Sequence, residues 1–263
     1  MTSVLKLLQK LDLYFVIPLI ILFALLLRNP FSANTIIPDL QPFPDSFHYI
    51  IPARNLIHGD GFKLSYEEKS TLINVPPLYS FILTPFYLIF DDPRTFYFTN
   101  VFLSLFSAGL FYKVSKILFN SKIISGFLLL LYVTNYFVYW YPMLPMAENL
   151  VLPLVLLGVW FLLKKVTMRN ILISAILTAS FYFTKFALAP VTLSFSLIFI
   201  LRILCSQIEI LKKVKLILFF LTMFSLFFLP AYLYIHQGAN PVAALFTYLS
   251  PLSQLFQLEN GSS

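Results

Sequence analysis

The segment Leu13–Leu27 has the sequence LYFVIPLIILFALLL, in which no side chain is charged. A helix needs ~20 mostly apolar residues to cross a bilayer, so a run of this kind predicts a membrane span that begins in its flanking loop. Arg28, Asn29 and Pro30 follow the run in place of a small-residue cleavage site, which predicts an uncleaved first span with its N-terminus in the cytoplasm. Similar runs predict seven spans in all: Leu13–Leu27, Thr95–Tyr112, Ile123–Trp140, Glu148–Leu163, Ile171–Lys185, Phe186–Leu204 and Lys215–Ile235.

The composition supports a membrane protein. Of 263 residues, 59% are hydrophobic and 11% are charged, whereas roughly a quarter of a soluble domain is charged. This balance excludes a soluble globular enzyme, a disordered chain and a nucleic-acid binder. Cys205 is the single cysteine, so no intramolecular disulfide can form. The predicted fold class is therefore all-α: a polytopic membrane protein of about seven transmembrane helices.

An eighth apolar run, Val75–Phe90, is ambiguous because it contains Pro76, Pro77 and Pro85 and ends at two aspartates. If it lies along the outer surface or dips into it without crossing, most of the lysines and arginines fall on the cytoplasmic side, as the positive-inside rule requires. We therefore expect a juxtamembrane helix here. On this interpretation most of the net charge of +7 reflects topology.

The resulting organisation is a single membrane module over residues 1–263, with a first outer loop at 28–94 and a second at 141–148. The N-terminus is expected inside and the C-terminus outside. The chain ends in Gly-Ser-Ser, which leaves open a C-terminal truncation.

The first outer loop carries most of the polar residues that are candidates for catalysis or binding. It contains Asp45, His48 and Tyr49, then Ala53-Arg54-Asn55-Leu56, then the turn His58-Gly59-Asp60-Gly61-Phe62. Apolar residues recur near helical spacing, which predicts a short helix on the membrane that begins near Asp45 and stops at Gly59. At that position Asp45 is either a helix N-cap or a functional carboxylate. The two histidines form no zinc pattern and are typical surface residues.

In order and spacing, this loop resembles the lipid-sugar glycosyltransferases of the GT-C superfamily. These include protein mannosyltransferases (glycosyltransferase family 39), aminoarabinose transferases and oligosaccharyltransferases. The elements that carry the resemblance are Asp45 after the first span, Tyr49, the Ala53–Leu56 segment, the Gly59–Phe62 turn and Pro76-Pro77-Leu78-Tyr79. Aminoarabinose-type relatives have Lys directly before the Pro pair, and this chain has Val75 there.

The resemblance implies an inverting glycosyltransferase in the plasma (inner) membrane with its site on the outer face. Asp45 would be catalytic, Glu148 a second acid of the site, and Lys185 and Arg54 ligands of the donor phosphate. Other residues implied as substrate contacts are Tyr49, His48, His58, Asp60 and Tyr79. The residues themselves also allow purely structural roles, with Glu148 as a helix N-terminal charge and Lys185 as a lysine that extends to the membrane interface.

The implied partners are a polyprenyl-phosphate sugar donor, an acceptor that is a lipid, glycan or protein, and membrane lipids, with no nucleic acid. A divalent cation, Mg²⁺ or Mn²⁺, is a candidate cofactor, with Asp45 and Glu148 as its ligands. A transporter or lipid-flipping protein is the alternative, but it would place ionisable residues within the spans, where this chain has almost none. An inactive membrane scaffold is a third alternative.

Overall fold

The computed structural model describes residues 12–27, 45–66, 69–72 and 75–235 of the chain. Within these residues it contains ten α-helices: α1 Leu13–Leu26, α2 Asp45–His58, α3 Leu78–Tyr87, α4 Phe96–Phe119, α5 Lys122–Val133, α6 Tyr136–Trp140, α7 Glu148–Leu163, α8 Met168–Thr184, α9 Ala189–Leu204 and α10 Ile210–Ile235. Short 3-10 turns at Pro93–Thr95, Tyr141–Met143 and Phe186–Leu188 connect some of them. The predicted all-α class is confirmed.

One small element was not predicted. Strands β1 Lys63–Tyr66 and β2 Lys69–Leu72 form an antiparallel pair in which Lys63 is opposite Leu72. The segment is short and polar, so hydropathy alone gives it the appearance of a loop. The pair follows the Gly59–Phe62 turn and contacts α2.

The prediction of seven spans is wrong for the described residues. Three helical segments there are long and apolar enough to cross a membrane, at Pro93–Phe119, Phe186–Leu204 and Ile210–Leu233, and a bent pair gives at most a fourth. The first, fourth and fifth predicted spans form helices of 14, 16 and 17 residues. At 1.5 Å per residue these are about 21 to 26 Å long, less than the ~30 Å hydrocarbon core. Helix α3 has ten residues, in agreement with the prediction that its run does not cross.

The bent pair is the predicted third span, which divides into α5 and the segment Tyr136–Met143 with a bend of 62°. At the break, the Thr134 hydroxyl donates to the backbone oxygen of Leu130, and the Asn135 side chain accepts from the backbone N–H of Phe137. Asn135 thereby caps a new helix, as Asn commonly does at helix N-termini. The polar pair thus interrupts an otherwise continuous apolar run.

The two ends of the bundle differ in charge. At one end, which we call the basic end, Lys113 and Lys164 both lie over the Trp160 ring, and Arg202 donates to the Phe161 oxygen. The opposite end carries α2, the strand pair, α3 and residues 141–147, and we call it the loop end. Helix α1 runs antiparallel to α4 between the two ends: Asp12 accepts from Tyr112 at the basic end, and the Leu26 oxygen accepts from Tyr97 toward the loop end.

Helix α4 is central, since it packs against α1, α3, α5 and α7, while α10 packs on α8. Large apolar side chains remain exposed along the candidate spans, including Phe98, Phe102, Leu197 and Leu218. Contiguous apolar surface of this extent is unusual for a soluble monomer and is suited to contact with lipid.

Gly59 ends α2, as the sequence predicted, and it adopts the left-handed conformation with φ of 83°. We expect Gly59→Ala to destabilise the fold by about 1 kcal/mol, because an L side chain is strained at this φ. Gly109→Ala is the matched control, since an added Cβ meets no atom within 4 Å at either glycine and Ala favours a helix. Melting temperatures in detergent should fall for Gly59→Ala alone; equal values for the two variants would refute the role of backbone strain.

Candidate functional site

Glu148 and Lys185, both selected from the sequence, form an ion pair between the Glu148 Oε1 and Lys185 Nζ atoms. Glu148 occupies the first turn of α7, and Lys185 follows the last residue of α8 in an extended conformation. Their side chains are 28% and 40% exposed, respectively. The pair is therefore accessible to a solute while each charge remains compensated.

A buried polar network lies beside this pair. The Tyr79 hydroxyl donates to Asn100 Oδ1 over 2.7 Å, and Asn100 Nδ2 donates to the backbone oxygens of Pro142 and Leu144 at 3.1 and 2.9 Å. Asn149 Nδ2 also donates to the Leu144 oxygen, at 2.9 Å. Each buried amide thus has its hydrogen-bond partners, as a low-dielectric interior requires. The network fixes the loop that precedes Glu148 against α3 and α4.

Helix α2 approaches the same network from the loop end. It begins at Asp45, as the sequence predicted, and one turn later the Tyr49 ring contacts the Tyr79 ring edge-on at 5.3 Å. The Asp45 side chain lies outside what the structure describes, but the backbone of α2 places this residue one turn from Tyr49. His48 lies between them on the helix and is half-buried.

A second cluster, which we call the Asp91 cluster, contains Arg54, His58 and Asp91. Arg54 Nε donates to Asp91 Oδ1 over 2.6 Å, and His58 Nε2 lies 3.0 Å from Asp91 Oδ2. The Arg54 guanidinium lowers the pKa of the Asp91 carboxyl and its own pKa is raised in return, chiefly through this hydrogen bond. The cluster ties the end of α2 to the chain that follows α3.

An apolar cavity of about 320 Å³ opens between α4, the bent α5–α6 segment and α7. Its walls include Ser104, Tyr132, Val138 and Val155, and the charged residue among its lining is Glu148. One member of the ion pair therefore lines an apolar cavity.

The predicted site residues fall into distinct places. Glu148 and Lys185 are in contact, whereas Arg54 and His58 belong to the Asp91 cluster, and Asp60 is exposed on the turn after α2. Tyr79 is fully buried, so in this arrangement its hydroxyl stabilises the network and offers no surface to a substrate. Among the described residues, no group of three or more His, Cys, Asp or Glu side chains could hold a metal ion.

Three residues of this region were missed in the sequence: Asn100, Asn149 and Asp91. Asn100 was detectable, because a lone amide in an otherwise apolar span is costly unless it is paired or functional. Asp91 gave no such signal, since its partners lie 33 and 37 residues away in the chain.

Comparisons with family models, with curated proteins and with solved structures find no match for this chain. The long apolar helices of the described residues define the class: a multi-pass, all-α membrane protein. Its loop end combines an accessible ion pair, a buried amide network and an apolar cavity.

Asp91→Asn should make stability less sensitive to acid. Because the folded-state pKa of Asp91 lies below its ordinary 3.8, the stabilisation is complete above that value and disappears as the pH falls through the lower, folded-state pKa. The side chains are about one-third exposed, so the expected loss is less than about 1 kcal/mol at neutral pH. The melting temperatures of wild type and variant should approach each other as the pH falls below 3.8; a difference that stays constant from neutral pH downward would contradict this assignment.

Proposed function

We propose that the protein is an inverting glycosyltransferase related to the GT-C superfamily. It would transfer a sugar from a polyprenyl-phosphate donor to an acceptor at the outer face of the plasma membrane. The observation that carries the proposal is the Glu148–Lys185 ion pair. These two residues are 37 positions apart in the sequence, each stands out as a charge beside an apolar run and also matches the family pattern, and they meet at the end of the bundle that also holds the start of α2.

The reaction is a single displacement, which inverts the anomeric centre. An acceptor hydroxyl oxygen forms a bond to the anomeric carbon while the bond from that carbon to the phosphate oxygen breaks. The acceptor proton passes to the Asp45 carboxylate, which is a general base of the usual kind. The departing phosphate retains the bonding electron pair and gains negative charge as it leaves.

Lys185 is suited to that leaving group, because an ammonium placed where negative charge develops lowers the barrier. When no donor is bound, Glu148 neutralises the ammonium. The donor phosphate would compete with the Glu148 carboxylate for the Lys185 ammonium. Because of its greater charge, donor binding would separate the pair and release the Glu148 carboxylate. Glu148 would then position the acceptor or, together with Asp45 and the donor phosphate, hold a divalent cation.

Arg54 has a more limited role in this proposal. Its Nε atom is already bonded to Asp91, although a guanidinium has five N–H donors. We therefore assign donor phosphate contact first to Lys185, and to Arg54 through its remaining donors.

The cavity beside Glu148 provides space for the lipid part of the donor. Its lining is predominantly apolar, with Phe137, Val151 and Leu152 among the wall residues. Apolar surface of a polyprenyl chain gains about 25 cal/mol per Å² when it is removed from water. A chain in this cavity would bring its phosphate toward the ion pair.

The test is a donor screen with purified protein in liposomes. Polyprenyl phosphates carrying different sugars are supplied with membrane-lipid, glycan and peptide acceptors, and products are identified by mass spectrometry. A mass increase of one sugar on an acceptor, with release of polyprenyl phosphate, supports the proposal. Movement of a labelled polyprenyl phosphate across the bilayer, without any mass change, would replace it with the lipid-flipping alternative.

A further inference from the structure

Helix α3 and the three residues after Tyr87 have apolar side chains on two opposite sides. No charged residue occurs between Val75 and Phe90. One side, with Tyr79, Leu83 and Tyr87, is buried against the bundle. The other side is exposed and also apolar, with helical spacing: Phe81, Pro85, Leu88 and Ile89. Leu88 and Ile89 are each 69% exposed.

A helix that lies on a membrane surface has one apolar face and one strongly polar or charged face toward water. Helix α3 lacks the second face. A helix that is apolar all around is typical of a protein core or of a membrane interior. Its exposed side therefore suits acyl chains better than water.

The contacts with α4 give the depth of α3. Between Arg94 and Lys113 the chain has no charged residue, and the segment 95–112 is about 27 Å long at 1.5 Å per residue, close to the ~30 Å hydrocarbon core. The Phe86 ring lies 6.2 Å from the Phe102 ring, and the Phe90 ring lies 6.2 Å from the Phe98 ring. The C-terminal half of α3 thus lies beside α4 residues within the charge-free segment.

The charges that follow mark the boundary of this apolar region. Asp91 is paired with Arg54 and lies within hydrogen-bond distance of His58, and the Asp92 carboxylate accepts from the backbone N–H of Arg94. Paired or capping carboxylates are tolerated at the edge of a bilayer, where an unpaired charge would favour full hydration. The chain therefore leaves the apolar region at Asp91.

We propose that α3 is embedded within one leaflet of the bilayer, with Leu88, Ile89 and Phe90 in direct contact with acyl chains. It enters and leaves on the same side of the membrane. This inference concerns the lipid contacts of the protein and is independent of the proposed sugar transfer.

The test uses single cysteines in the otherwise cysteine-free Cys205→Ser protein, reconstituted in phosphatidylcholine–phosphatidylglycerol liposomes. Leu88→Cys and Ile89→Cys report on the exposed side of α3. Asp60→Cys, at an exposed turn of the same loop end, is the water-accessible reference. A nitroxide label is attached to each protein in detergent, and collision rates with oxygen and with a water-soluble nickel chelate are measured after reconstitution.

We expect the labels at Leu88 and Ile89 to collide freely with oxygen, and about tenfold less than the Asp60 label with the nickel chelate, because apolar oxygen partitions into acyl chains and the polar chelate stays in water. Strong nickel collisions at Leu88 and Ile89 would show a surface helix in water and overturn the proposal. Weak collisions with both reagents would also overturn it, since they would show protein covering this side. Size-exclusion profiles that match wild type establish that each variant is folded.

Discussion

Asp45→Asn is expected to reduce sugar transfer by at least about 100-fold, the usual contribution of a positioned general base. The substitution removes the proposed proton acceptor and changes the side-chain volume very little. The rate of product formation with a polyprenyl-phosphate donor, measured in liposomes by mass spectrometry, checks this result. Full activity in this variant would remove Asp45 from the reaction.

The substitution also separates the two interpretations of Asp45. Asp45 is the first residue of α2, so a role at the helix N-terminus, as a cap of its backbone N–H groups, is the alternative. Asn is about as good an N-cap as Asp, and Asp45→Asn therefore preserves a capping function. If Asp45 serves as a cap alone, activity and melting temperature should both remain at wild-type values.

Glu209→Gln is the matched control for charge. Glu209 is exposed in the short connection between α9 and α10. This connection lies at the basic end, near the backbone contacts of Arg202 and Lys213. The Glu209→Gln substitution removes one carboxylate from the protein without touching the loop end. We expect wild-type activity from this variant, with an unchanged amount of protein in the membrane.

Local sequence patterns predicted where a helix ends and where the chain turns. Gly59 predicted the end of α2 because the tolerance of glycine for positive φ, which a helix stop of this kind needs, is a property of one residue. The turn at Lys185 was equally visible, since the fifth and sixth apolar runs meet there, and the structure places the end of α8 and a 3-10 turn at this point.

The number of spans could not be obtained in the same way. Hydropathy registers apolar composition, whereas a span also requires an unbroken helix of sufficient length. The capping hydrogen bond of Asn135 divides one run, and α1 ends after 14 residues. The break at Asn135 depends on a local hydrogen bond that a count of apolar residues does not detect.

Candidate site residues could be selected from the sequence where a charge was isolated, whereas the ion pairs and hydrogen bonds between distant residues could not be predicted. Lys185 and Glu148 stood out because each is a charge next to an apolar run. The sequence around Arg54 gave no sign that its Nε atom donates to Asp91. Such a pairing depends on how α2 packs against α3, and the separate segments contain no sign of it.

Lys185→Met is expected to lower kcat/KM for the lipid donor by about 100-fold, because in the proposed reaction it removes a cation from the place where phosphate charge would develop. Lys185→Arg retains the charge and should restore part of the loss. Initial rates over a range of donor concentrations, with the acceptor saturating, measure the effect. A Lys185→Met enzyme with wild-type kcat/KM would exclude contact between Lys185 and the donor.

The double variant Glu148→Lys/Lys185→Glu distinguishes a structural ion pair from a phosphate site. It reverses the pair, so it should recover the melting temperature lost in the single variants, a difference of about 1 kcal/mol or less for a partly exposed pair. Activity should stay low, because the cation then projects from the first turn of α7 and a carboxylate follows α8, where the phosphate is expected. Recovery of both activity and stability would show that Glu148 and Lys185 serve only to join α7 to the end of α8.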